Sequence, residues 1–113
     1  MSRSRVQVSF LAILVLFIAP SVLRGQTERG AIVGLVTDTT GAVVQNATVT
    51  VTNVATKTSQ TFTTNEDGLY EAPFLTPATY EVSATAQGFG KTVNNGVVVN
   101  VGQRTNVNLE LTV

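Results

Sequence analysis

From residue 31 onward the chain alternates apolar and polar positions in short runs, each closed by Gly, Asn, Asp or Pro. A period of two is what a half-buried strand requires. The clearest run is Ala47–Asn53 (ATVTVTN), with Ala47, Val49 and Val51 on one face and Thr48, Thr50 and Thr52 on the other. Tyr80–Ala86 (YEVSATA) repeats it, with Tyr80, Val82, Ala84 and Ala86 inward. The last run, Arg104–Leu111, turns Val107, Leu109 and Leu111 to the core. Further strands are predicted over Ala31–Thr37, Thr58–Thr63, Leu69–Ala72, Lys91–Val93 and Val97–Val101. Asp38-Thr39-Thr40-Gly41 reads as a turn, and Asn65-Glu66-Asp67-Gly68 as a hairpin, because Asp-Gly supplies the positive φ that tight turns need. Pro73 is expected to stop the fourth strand, and Asn94-Asn95-Gly96 to turn the chain. No helical period occurs in this part. The reading is an all-β domain, an antiparallel β-sandwich of seven or eight short strands.

The N-terminus has a different pattern. Arg3 and Arg5 precede an apolar run from Val6 to Ala19, which Pro20 breaks. A basic start, about 14 apolar residues and small residues after a breaker form the layout of a secretory signal peptide. The run is short for a spanning helix, which needs roughly 20 apolar residues. Ala19 and Ser21 suit one cleavage site, and Gly25 is a second candidate. The expected organisation is a signal peptide over 1–25, a polar lead-in over 26–30 and one domain over 31–113. The expected location is the periplasm, the outer membrane or the extracellular space.

Cleavage after Gly25 would leave four basic residues (Arg29, Lys57, Lys91, Arg104) against seven acidic ones. A mildly acidic domain with scattered cations has no electrostatic footprint for nucleic acid. The absence of cysteine rules out disulfides, so stability must come from the sheet core.

Several short elements then share one register: Ile32-x-Gly34-x-Val36-x-Asp38-x-x-Gly41, Ala47-x-Val49-x-Val51, Thr64-x-x-x-Gly68-x-Tyr70, Leu75-x-Pro77-x-x-Tyr80-x-Val82 and Gly88-Phe89. Their order and spacing resemble the carboxypeptidase regulatory-like domain over about residues 30–112. The resemblance implies a seven-stranded antiparallel Greek-key sandwich of the transthyretin type. A leader followed by such a module is similar to the N-terminus of Oar-like TonB-dependent outer-membrane receptors, in which a plug and a long β-barrel follow. That context implies an accessory or interaction domain, or its detached N-terminal piece, whose partner is another protein or the remainder of a receptor chain.

Candidate chemistry is sparse. The sequence has neither His nor Cys, which removes the common nucleophile–base systems and most zinc sites. Glu66 and Asp67 fall in a turn, and Glu71 and Glu81 at outward strand positions, where charged residues are the default. Asn65, Glu66, Asp67 and Asp38 offer oxygens of the kind calcium takes, but without EF-hand spacing they read as turn chemistry. No catalytic, cofactor or metal site is expected. Two contact surfaces are. If Ile32 and Val36 face the core, Val33 and Leu35 face outward, and strand one, opening the domain, is expected at a sheet edge able to accept another strand. The alternative partner is carbohydrate, for which Phe74 and Phe89 are the candidate stacking platform.

Overall fold

The computed structural model describes residues 29–113, so the signal-peptide and lead-in expectations for residues 1–28 lie outside the described residues. Eight strands follow one another without a helix: β1 Gly30–Asp38, β2 Thr48–Asn53, β3 Ser59–Thr63, β4 Leu69–Leu75, β5 Ala78–Thr85, β6 Thr92–Val99, β7 Arg104–Asn106 and β8 Leu109–Leu111. They form two four-stranded sheets. One runs β4–β1–β7, with β8 continuing β7 along β1; the other runs β3–β2–β5–β6. The inward residues read from the alternation are buried between them: Val49, Val51, Tyr80, Val82, Val107, Leu109 and Leu111, joined by Ile32, Val36 and Val99.

Three features differ from the sequence reading, and each arises from non-local pairing. First, the sheet containing β1 is mixed rather than antiparallel. β4 pairs with β1 antiparallel, but β7 and β8 lie parallel to it on the other side. The predicted strand over Arg104–Leu111 splits in two at Val107 and Asn108. There the Val107 N–H donates to Val33 O (2.8 Å) and the Asn108 Oδ1 accepts from the Leu35 N–H (2.9 Å), so the side chain replaces a ladder bond.

Second, the Asn65–Gly68 turn does not close a hairpin. β3 pairs only with β2 and β4 only with β1, so this turn carries the chain from one sheet to the other. Asn65 Oδ1 holds it by accepting from the N–H groups of Asp67 and Leu69. Gly68 takes the expected positive φ, +75°.

Third, two predicted breaks are bulges inside strands. β4 runs through Pro73, where Ala31 faces both Pro73 and Phe74 and the register shifts. Proline is tolerated because β4 is an edge strand, whose outer N–H groups need no partner. In β6 the register shifts at Asn95-Gly96, with Gly96 at φ +72°. A left-handed glycine is the usual way to fit one extra residue into an antiparallel ladder.

Gly34 is required for a different reason. A Cβ at this position would collide with the Val107 carbonyl and come within 2.9 Å of the Tyr70 ring. The bare backbone lets the β7–β8 link pass close enough for the Tyr70 hydroxyl to donate to Val107 O at 2.6 Å. Burial also pushes the Tyr70 phenol well above its usual range. On the other sheet Tyr80 is fixed locally, its hydroxyl donating to Thr76 O at 2.6 Å.

Candidate functional site

The two outer faces of the sandwich are chemically different. Outward positions of β2, β3 and β5 carry hydroxyls in cross-strand rows: Thr63–Thr48–Thr85, Thr61–Thr50–Ser83 and Ser59–Thr52. Apart from the buried Ser83, these side chains are exposed or half-buried. Only β6 adds exposed aliphatic side chains, Val93 and Val98.

The outer face of the β1 sheet is apolar at its centre. Val33 sits between Glu71 of β4 and Asn106 of β7. Leu35 pairs with Leu69 on one side and bonds to the Asn108 side chain on the other. Leu69 is 46% exposed. Val43, 47% exposed, is bridged to Thr37 on the next outward position of β1 and extends the apolar surface. Arg104 reaches across Ala31 to Glu71, Nη1 to Oε2 at 3.2 Å, and closes one end of the patch with a neutral pair. The result is a groove of about 740 Å³ lined by Val33, Leu35, Leu69, Asn65, Asn106 and Asn108, with Glu71 and Arg104 at its rim.

This placement corrects the edge expectation. β1 is hydrogen-bonded on both sides, by β4 and by β7 with β8, so Val33 and Leu35 cannot template an added strand. They face outward as read, but on the floor of a groove in mid-sheet, and both are half-buried. Sequence reasoning missed Leu69, Asn106 and Asn108 as their neighbours. No local signal ties these residues to β1, because the parallel closure joins the two ends of the domain.

The expected aromatic platform also separates. Phe74 lies just before β5 and Phe89 just beyond its other end. The eight residues of β5 place them roughly 25 Å apart. Phe89 is half-buried and packs against the core. Phe74 is 76% exposed and adopts φ +57°, in the bulge of β4, where its carbonyl accepts from Arg29 Nη1. A bulky residue in the left-handed region is uncommon and costs on the order of 1–2 kcal/mol. Its ring stands between two smaller clefts, one lined by Asn53, Thr58, Gln60 and Thr76, the other by Gln103 and Arg104.

Among the described residues, no group of three or more His, Cys, Asp or Glu is arranged to hold a metal ion. Nor is any helix among them long and apolar enough to cross a membrane. Asp38 is a turn residue: its carboxylate accepts from the Thr40 hydroxyl and from the N–H groups of Thr40 and Ala42. These bonds, the Thr40 hydroxyl first, hold its pKa below the ordinary carboxylate value.

Residues 31–112 match the family model of the carboxypeptidase regulatory-like domain. The chain belongs to this family. No curated protein matches the sequence. Among solved structures, this carboxypeptidase regulatory-like domain resembles a proposed carbohydrate-binding protein from Bacteroides uniformis (TM-score 0.60, 21% identity, 74% of this chain and 41% of that one). It also resembles the Bacillus anthracis TIE protein (TM-score 0.64, 20% identity, 75% and 16%). Catechol 1,2-dioxygenase from Acinetobacter radioresistens shares the same sandwich (TM-score 0.54, 15% identity, 77% and 52%). The chain spans about half or less of each of these proteins. Likeness at this identity is one of fold.

Proposed function

We propose that this carboxypeptidase regulatory-like domain is a non-catalytic contact module of an exported, TonB-dependent receptor-like outer-membrane protein. The observation that carries the contact reading is the asymmetry of the two outer faces. One is a hydroxylated surface; the other holds Val33, Leu35, Leu69 and Val43 together on a single sheet. Apolar side chains gathered in a groove with a polar rim are the composition of a binding surface. Contact occurs through the face of the sheet, since β1 has no free edge. Supporting export are the basic, apolar and small-residue zones of residues 1–25. The receptor context rests on the resemblance of leader plus module to such N-termini.

The test combines location and contact. Produced with its leader in a Gram-negative host, the chain should be recovered from the cell envelope, shortened by roughly 21 to 26 residues on mass spectrometry. Val33→Lys together with Leu35→Lys should release it from its envelope partner and leave its melting temperature within a few degrees. A full-length cytoplasmic product would refute export, and retention of the double variant on the envelope would refute the groove.

A second reading is favoured by one specific observation, the exposed ring of Phe74 beside Asn53, Gln60 and Gln103. An aromatic face with adjacent amides suits a sugar ring, and the proposed carbohydrate-binding protein of Bacteroides uniformis has this fold. In affinity electrophoresis, polysaccharides that retard the wild-type chain should not retard Phe74→Ala. Equal retardation would sink this reading.

A further inference from the structure

The groove on the β1 sheet carries a hydrogen-bonding pattern that specifies its ligand further, on the reading that this face makes contact. Four residues form a row across the strands: Asn65, Leu69, Leu35, Asn108. Each link in the row is fixed by backbone bonding. Asn65 N–H donates to Leu69 O at 3.0 Å, and Leu69 N–H donates to Asn65 Oδ1 at 3.0 Å. Leu69 pairs with Leu35, and Leu35 N–H donates to Asn108 Oδ1 at 2.9 Å. Three strand spacings separate the ends, about 14 Å.

In both asparagines the partner is an N–H group, so the atom that meets it must be the carbonyl oxygen. The orientation of each amide is therefore set by the backbone, and among the described residues no side chain or backbone group takes up either NH2. Both residues line the groove. The row thus reads donor, aliphatic, aliphatic, donor. Beside it, Val33 lies between Glu71 and Asn106, and the Glu71–Arg104 pair cancels the charge at that end. The floor is aliphatic. The one aromatic residue along it, Tyr70, is buried with its hydroxyl committed to Val107.

We propose that this groove binds an extended, uncharged peptide segment of a protein partner, lying crosswise over β4, β1 and the link between β7 and β8. Aliphatic side chains of the segment pack on Val33, Leu35 and Leu69, and two of its backbone carbonyls accept from the Asn65 and Asn108 carboxamides. A span of about 14 Å is the reach of about four extended residues. Carbonyl acceptors match the two NH2 donors, and the floor offers no exposed aromatic ring on which a sugar could stack. A charged ligand finds no net counter-charge here, because Glu71 and Arg104 pair with each other.

The probe is a phage-displayed library of random heptapeptides, panned on the immobilised full chain recovered from the host envelope. The expected selection is of peptides with aliphatic residues and no charge across a four-residue core. The deciding variant is Asn65→Asp with Asn108→Asp, which retains each Oδ1 acceptor for the backbone, removes the NH2 donors and adds two negative charges. Synthetic copies of the selected peptides should bind it at least tenfold more weakly, with the melting temperature unchanged. Thr61→Asp with Thr85→Asp, on the other outer face, adds the same charge and should bind as wild type does. Leu35→Lys should also abolish binding. If Leu35→Lys abolishes binding and the Asp pair does not, the groove stands and the carboxamide clamp is refuted. Peptides that ignore all these variants refute both. Selection of charged peptides, or of none, overturns the proposal, as does displacement of the peptides by neutral oligosaccharides.

Discussion

The Tyr70 hydroxyl and the Val107 carbonyl meet at 2.6 Å inside the sandwich, beneath the backbone of Gly34. One contact thereby joins the edge strand β4, the central strand β1 and the link between β7 and β8. Tyr70→Phe should leave the Val107 carbonyl buried without its hydroxyl donor, which costs about 1–3 kcal/mol. A domain of this size should then melt lower by at least roughly 4 °C. An unchanged melting temperature would mean that the bond adds nothing to stability.

Gly34→Ala should be the more damaging change. Its methyl group has nowhere to go but into the Val107 carbonyl, a backbone atom that cannot rotate aside. Overpacking of this kind costs about 3 kcal/mol. The variant should show early denaturant unfolding, and wild-type stability would show that the two strands can separate freely.

Tyr70 also sets an alkaline limit. Its folded pKa is raised by burial, so the protonated form is the one the fold accommodates. The sign follows from linkage: stability is fully present below the unfolded phenol value, about 10, and is lost as pH rises above it. In Tyr70→Phe that part of the alkaline loss should disappear. Denaturant midpoints measured between pH 8 and 11 decide it.

At the acid end Asp38 acts in the opposite sense. Its carboxyl is held below the usual range by the Thr40 hydroxyl and neighbouring N–H groups. Its contribution is present above the unfolded value, about 3.9, and is lost as pH falls through the folded one. An NMR titration should place Asp38 below that value, and in Thr40→Val its midpoint should move up toward it. No movement would refute the Thr40 hydroxyl as the main cause.

Phe74 should be replaceable at a gain. Glycine accepts φ +57° without a Cβ clash, so Phe74→Gly should stabilise the domain by about 1 kcal/mol. The same change should remove any glycan binding at this end. A fall in melting temperature would show instead that the ring packs usefully on the surface.

Much of this architecture was legible in the sequence because it is local. Alternation at Val49–Val51, Tyr80–Val82 and Val107–Leu111 assigned the buried faces, and these side chains do lie between the sheets. Outward positions of Val33 and Leu35 followed from the same period. Turn chemistry at Asp38 and Gly68 was equally readable, since side-chain acceptors and positive φ act within a few residues. What tertiary structure alone decided is which strands become neighbours. An alternating strand specifies a face and leaves its hydrogen-bonding edges open to any partner. The parallel closure of β7 and β8 on β1 turned an expected edge into a centre, and so converted Val33 and Leu35 from a pairing site into a groove floor. The same closure brought Asn108 to Leu35 across 73 positions of chain. Bulges at Phe74 and Gly96 likewise depend on fitting one strand to another of unequal length between register points. Periodicity is a property of a segment, whereas edges, registers and grooves are properties of pairs of segments, and these exist only once the two sheets have packed.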